Sequence, residues 1–401
     1  MDNSEKVQSL MKELEPDFIE VFRHLHQNPE LSFKEFETTK YITDILRSLD
    51  IEILDYGLET GVVGLLKGSS DGPCIGLRAD IDALPVKETS TCAFPSQRDG
   101  IMHACGHDVH TSSLLSAAMI LSRMRDEIKG SVKFLFQPAE ELNAGAKLMV
   151  RKGCLENPHV DAIFGLHNQP EIPSGTVAVV KGPLMAAVDR INIRITGVGG
   201  HGGVPQRSHD PVVAAASIIQ AAQTIVSRNI NPIDSAVVSI CNVKAGEGTT
   251  NNVIPDYVTM YGTVRTYSSE TAHLIERRIK DLVEQISSAY ECKGECEYIY
   301  ELPVTYGLKE LHDQASDALS SVGIKPIEPD PTTGGEDFAV YQQEVPGYFY
   351  WLGVREEDND CVHPWHSPKF KANEHVIKYG AGTYAMSVFF GIRAVLDGLP
   401  V

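Results

Sequence analysis

Two hydrophobic rhythms run along the chain. Short, continuous apolar stretches at residues 61–66, 74–79, 131–136 and 162–166 predict buried strands. A strand covered on both faces needs no polar alternation. Between them the apolar positions recur at helical spacing. Residues 10–49 predict two helices broken at Asn28-Pro29, and residues 110–122 predict another. A segment rich in Ala, Lys, Leu and Met predicts a helix directly after Phe136. Strands alternating with helices indicate an α/β domain with a mostly parallel central sheet.

Near Met185 the rhythm changes. Residues 190–196 alternate strictly between polar and apolar, as a half-exposed strand does. A helix over 211–226, strands over 236–243 and 257–267, a helix over 271–289 and a strand over 295–300 follow. This β-α-β-β-α-β order fits a ferredoxin-like α+β unit with one exposed sheet face. The expected organisation is an α/β catalytic domain at 1–184 and 302–401, interrupted by an inserted domain at 185–301. Hinges are expected at Gly182-Pro183 and between Tyr300 and Pro303.

Charge narrows the function. With 54 acidic against 35 basic residues the formal net charge is -19. That excludes a nucleic-acid binder with a basic face and docking on anionic lipid. No run approaches the apolar length of a membrane helix, and the polar N-terminal residues show no export signal, so a cytoplasmic protein is expected. The eight cysteines then read as reduced thiols, and Cys292 and Cys296 as strand or turn residues.

Groups able to bind metal cluster where predicted strands end, the place where open α/β sheets keep their sites. Asp80 and Asp82 follow the 74–79 run in Arg78-Ala-Asp-Ile-Asp-Ala-Leu-Pro85. By themselves they read equally as turn-capping aspartates. His103-Ala-Cys-Gly-His-Asp-Val-His110 places Cys105 and His107 on either side of a glycine, so that both side chains reach one centre. Thiolate and imidazole suit Zn2+ and its first-row neighbours, and Cys105 as a His-activated nucleophile is the competing reading. Glu140 and Glu141 adjoin at a strand-to-helix junction, where one carboxylate can bind metal while the other works as a base. His167 ends an apolar strand, and His366 sits in the Pro-rich His363-Pro-Trp-His366-Ser-Pro loop. Each alone reads as an ordinary core or loop histidine. Together Cys105, His107, Glu141, His167 and His366 offer enough N, S and O ligands for two ions if one ligand or a water bridges.

These residues fall within a series of motifs spanning nearly the whole chain. They include His26-Gln-Asn-Pro-Glu30, Arg78-Ala-Asp-Ile-Asp82, Met102-His-Ala-Cys-Gly-His-Asp108, Gln137-Pro-Ala-Glu-Glu141, Gly199-Gly-His201-Gly-Gly-Val-Pro205, Asn252-Val-Ile-Pro255, Gly262-Thr-Val-Arg265, Gly335-Glu-Asp337-Phe and His366-Ser-Pro. In this order they resemble the M20 metallopeptidases, within them the aminoacylase and hippurate-hydrolase branch. Plant auxin-conjugate amidohydrolases and bacterial N-acetyl-diaminopimelate deacetylases are similar.

The resemblance implies two divalent metal ions per subunit, Mn2+ or Zn2+ foremost and Co2+ or Ni2+ also accepted, on Cys105, His107, Glu141, His167 and His366. It makes Cys105 the bridging ligand, Glu140 the general base and Asp82 an aspartate that orients a ligand. The wider family carries a histidine ligand near Asp80; here Cys105 with His107 compensates, and the role of Asp80 stays open. His201 is implied to stabilise the oxyanion from its own chain or a partner subunit, and Asn252, Arg265 and Gly335 to bind substrate. The inserted domain is implied to act as a lid and to mediate a homodimer or homotetramer. The expected reaction is hydrolysis of an N-acyl amino acid amide, with a dipeptidase or carboxypeptidase as the alternative.

Overall fold

The computed structural model describes residues 2–248 and 250–399. The chain forms two compact units. The larger runs up to Leu184, includes Thr305–Asp330 and resumes at Glu336; the smaller comprises Met185–Val304 and Pro331–Gly335.

Three of the four apolar runs form the middle of the larger unit, joined there by Gly347–Arg355, a strand not expected from the sequence. Its ten-stranded sheet has the strands Lys129–Gln137, Ser70–Asp80, Ala162–Pro173 and Gly347–Arg355 side by side and parallel. Antiparallel strands flank this centre, with Val62–Lys67 on one side and Thr305–Gly307 on the other. Ile75, Leu77, Phe134, Phe136, Phe164 and Leu166 are fully buried. Each such side chain contributes roughly 1.5–3 kcal/mol on leaving water. The helices His107–Ser122 and Ile377–Leu396 pack on each other and on the strand Ser70–Asp80. Both are buried almost all round, so neither needs a polar stripe.

Local chemistry shifted several expected boundaries. The N-terminal segment forms three helices, Asn3–Glu13, Glu15–Gln27 and Phe36–Ser48, where two were expected. Pro16, in the first turn of the second helix, has no N–H to continue the first helix's ladder. No helix begins directly after Phe136. A single 3-10 turn, Glu140–Leu142, comes first and the helix Gly145–Arg151 later. The strand carrying His167 does not end there but continues to Pro173.

In the smaller unit four antiparallel strands stand in the order Ala236–Ala245, Tyr257–Thr266, Ala187–Thr196, Lys293–Leu302. In chain order that is 2-3-1-4, the ferredoxin-like arrangement. Ile191, Ile193 and Ile195 meet Ala214 and Ile218 of the helix Pro211–Thr224 and Ile275, Ile279 and Val283 of the helix Ser269–Ala289. Residues 331–335 belong here, although the sequence boundary assigned them to the catalytic part. The Ala186 N–H donates to the Thr332 and Gly334 carbonyls (3.1 and 3.0 Å), and Arg265 Nε donates to the Thr333 carbonyl at 3.2 Å. The eight cysteines are unpaired, and among the described residues no helix is long and apolar enough to cross a membrane.

Candidate metal centre

The parallel strands bring the separated motifs together. Asp80 closes the strand Ser70–Asp80, and Asp82 lies just beyond it. Asp82 is more than a turn cap. Its carboxylate accepts from Ser32 Oγ (2.6 Å) and from the backbone N–H groups of Glu140 (3.1 Å) and Glu141 (3.2 Å), and it meets His107 Nδ1 at 3.2 Å. One buried aspartate thus fixes both the acidic pair and a histidine ring. With Nδ1 held, His107 Nε2 faces Glu140 Oε2 and Glu141 Oε1, each at 3.9 Å.

Strained backbone delivers the acidic pair. Ala139 and Asn143, on either side of the 3-10 turn, both have φ of 52°. That left-handed region costs a non-glycine residue of order 1–3 kcal/mol and gathers at functional sites. Two residues after Asn143, a side chain on Gly145 would meet the Pro138 carbonyl oxygen at 1.6 Å, so only glycine lets the turn close. Gly106, φ 81°, separates Cys105 from the helix that starts at His107. His366 has φ of 62°, and its N–H donates to the Ala104 carbonyl at 2.8 Å, pinning the C-terminal loop to the cysteine loop.

The ligand atoms fall into overlapping sets. Those of Cys105, His107 and His167 lie within 4.8 Å of one another, as do those of Cys105, Glu141 and His366. Cys105 belongs to both. Its Sγ stands 3.4 Å from His167 Nε2, and His366 Nε2 stands 3.6 Å from Glu141 Oε1. Tetrahedral sulfur and nitrogen ligands sharing a Zn2+ stand about 3.5 Å apart. His107 Nε2 and Glu141 Oε1 are buried without a hydrogen-bond partner. Buried polar atoms without partners are rare, and both belong to the expected ligand set. The donors present therefore fit a pair of divalent ions.

Electrostatics agrees. Burial pushes the Cys105 thiol well above its ordinary pKa. Burial, then the neighbouring Glu336 and Asp337, holds the Glu140 carboxyl well above the usual range. Burial also raises Glu141. A divalent cation beside these groups favours their ionised forms and reverses each shift. Burial drives the His167 pKa far down, leaving it a neutral ring with a lone pair to give.

Two supports were not assigned from the sequence. Asn168 is fully buried. Its side-chain amide donates to the Cys105 carbonyl (2.6 Å) and to His110 Nε2 (2.8 Å), and its Oδ1 accepts from Trp365 Nε1 (3.1 Å). It ties together the segments that bear Cys105, His167 and His366. The open role of Asp80 also resolves. Asp80 accepts from His110 Nδ1 (2.6 Å) and from Arg78 (2.9 Å), so it braces the helix behind His107. Arg78 itself is fully buried among Asp80, Glu336 and Asp337. An arginine inside an otherwise apolar strand was the available clue.

The remaining expected site residues lie in the smaller unit. His201 is exposed in the two-residue strand Gly200–His201, which pairs with Val253–Ile254. Its Nδ1 accepts from the Gly203 N–H at 2.9 Å, which leaves Nε2 as the protonated donor. The Asn252 carbonyl accepts from the Gly202 N–H at 2.8 Å. Arg265 donates to the Thr333 and Val264 carbonyls and to Thr263 Oγ1. At Gly335 a side chain would lie 2.3 Å from Val188 Cγ2, so any larger residue forces Val188 to move.

A mixed thiolate, imidazole and carboxylate cluster at the carboxyl ends of parallel strands, with a second carboxylate beside it, defines a metal-dependent hydrolase. The chain belongs to peptidase family M20/M25/M40, whose family model matches residues 76–388. It is 45% identical over 368 residues to an N-acetylcysteine deacetylase of Bacillus subtilis (strain 168), covering 92% of this chain and 94% of the relative. It is 39% identical to thermostable carboxypeptidase 2 of Saccharolobus solfataricus, covering 96% of this chain and 98% of that one. A Bacillus subtilis crystal structure described as a dinuclear metal binding peptidase of the M20 family superposes with a TM-score of 0.85 at 40% identity. That match covers 95% of this chain and 99% of the other.

Proposed function

We propose that this protein is a two-metal amidohydrolase that removes the acyl group from N-acyl-L-amino acids. The observation that carries the reading is the convergence of Cys105, His107, Glu141, His167 and His366, with Glu140 alongside and two ligand atoms buried without partners. The 45% identity to a deacetylase of an N-acetylated amino acid supports the substrate class. Cys105, His107 and His167 would hold one ion, and Cys105, Glu141 and His366 the other. When bound, the ions lower the pKa of a water and polarise the amide carbonyl.

Glu140 then removes a proton from the water and returns it to the departing amine. Asp82 holds His107 and the backbone of the acidic pair in register while this happens. His201, with Nε2 as donor, is assigned to the developing oxyanion, from its own chain or from a partner subunit. Asn252, Arg265 and Gly335 are assigned to the substrate, with the Arg265 guanidinium matched to its carboxylate. Mn2+ and Zn2+ are the proposed ions, Co2+ and Ni2+ also suiting the donors. A homodimer or homotetramer in the cytoplasm completes the proposal.

A carboxypeptidase acting through the same centre is the second reading, favoured by the 39% identical relative. A panel of N-acetyl amino acids, hippurate, dipeptides and longer peptides, run with each metal, separates the two. Faster turnover of the N-acyl compounds is expected, and selective peptide cleavage refutes the assignment. Chelation is expected to abolish activity, with recovery on adding a divalent ion. Insensitivity would instead point to Cys105 as a nucleophile.

A further inference from the structure

A second group of ligand-type side chains lies outside this centre. A ring nitrogen of His26, a carboxylate oxygen of Glu88 and the Sγ of Cys92 lie within 4.8 Å of one another. His26 comes from the helix Glu15–Gln27, whereas Glu88 and Cys92 belong to the irregular segment between Leu84 and Met102. We propose that His26, Glu88 and Cys92 form a separate site for a single Zn2+ or similar first-row divalent ion, which staples this segment to the N-terminal helices.

Three observations carry the proposal. First, the ring is preset. His26 is buried, and its Nδ1 meets Asp108 Oδ2 at 2.6 Å, fixing the ring so that Nε2 points at the other two groups. A carboxylate behind the histidine is the recurrent support of zinc ligands. Second, the spacing matches that of two donors sharing a cation. His26 Nε2 and Glu88 Oε1 stand 3.4 Å apart. Two tetrahedral ligands bound at roughly 2.0–2.1 Å stand about 3.4 Å apart, whereas a charge-assisted hydrogen bond closes to about 2.7–2.9 Å. Third, the site is braced. Glu88 accepts from the Ser96 N–H at 2.7 Å and from Ser90 Oγ, and the Cys92 N–H donates to Ser90 Oγ at 3.1 Å. Phe94 packs edge-on against His26, covering one side. The nearby cation Arg23 is committed to Glu374 through two bonds of 2.7 Å.

Nitrogen, oxygen and sulfur donors together select a borderline-soft ion. Binding releases the thiol proton of Cys92 and any proton on Nε2. The three protein ligands leave a fourth position for water.

The test compares the fully metal-loaded protein with Cys92→Ala after dialysis against Zn2+. Mass spectrometry of bound metal is expected to give one Zn2+ per chain more for the parent. Equal counts overturn the site. In the unmutated protein, iodoacetamide labelling is read peptide by peptide. Zn2+ at ten times its dissociation constant is expected to slow Cys92 alkylation about elevenfold. An unchanged rate also overturns the site and leaves His26 as an imidazolium held between two carboxylates. The Cys105 peptide in the same digest reports on the catalytic centre independently.

Discussion

Replacing Asn168 with leucine tests whether the ligand-bearing loops are held by one buried amide. The substitution keeps the branched shape, adds some bulk and removes two donors and an acceptor. It strands the Cys105 carbonyl, which accepts from Asn168 at 2.6 Å, and takes from His110 Nε2 the amide at 2.8 Å, though His110 keeps the Asn168 backbone N–H at 2.8 Å. Trp365 Nε1 loses Oδ1 but retains the Asn168 carbonyl at 3.2 Å. A buried group left without a partner costs about 1–3 kcal/mol, and each remaining loss about 0.5–1.5 kcal/mol. The expected destabilisation of chelator-treated protein is therefore about 2–6 kcal/mol, read from urea unfolding. Loss of an outer support typically lowers metal affinity about 10–100-fold, which competition with a chromogenic chelator measures. Asn168→Asp is expected to weaken metal binding too, since a carboxylate cannot donate to the Cys105 carbonyl. Stability within about 0.5 kcal/mol of the parent, together with unaltered affinity, would refute the account.

Glu140→Gln is expected to reduce turnover by about 10²–10⁴ while leaving metal stoichiometry unchanged; loss of metal instead would make Glu140 a ligand. Arg78→Met leaves Asp80, Glu336 and Asp337 without their buried partner and is expected to cost about 3–5 kcal/mol by denaturant unfolding. His24 stacks on Tyr41 with ring centroids 3.8 Å apart, and burial there lowers its pKa below 6.5. The unfolded chain then binds more protons below 6.5, so this contribution is fully present above 6.5 and is lost as pH falls from there through the lowered folded value. NMR titration of the parent and Tyr41→Ser is expected to show His24 returning toward its ordinary value.

Much of this protein was legible without coordinates, because the responsible forces are local. Continuous apolar runs marked three of the four central parallel strands and the antiparallel Val62–Lys67, since burial on both faces leaves that imprint on any sequence, while the parallel strand Gly347–Arg355 was not marked. The β-α-β-β-α-β order preceded the observed 2-3-1-4 sheet, because alternation and amphipathic spacing identify such elements one at a time. Cys105, His107, Glu141, His167 and His366 could be proposed as ligands because metal chemistry restricts residue type, and the fold brings their donor atoms into overlapping groups.

Tertiary structure decided what depends on partners remote in sequence. Asn168 follows His167 but has no pattern of its own, and its importance lies in where Cys105, His110 and Trp365 arrive. Asp80 and Asp82 looked alike in sequence, yet one braces His110 and Arg78 while the other holds His107 and the acidic pair. The short turn at Glu140–Leu142 replaced an expected helix because Ala139 and Asn143 take left-handed backbone conformations. Residues 331–335 joined the smaller unit through hydrogen bonds from Ala186 and Arg265. Periodicity records which face of an element meets apolar surroundings; it holds no record of which distant polar group completes a hydrogen bond, and folding alone supplies that.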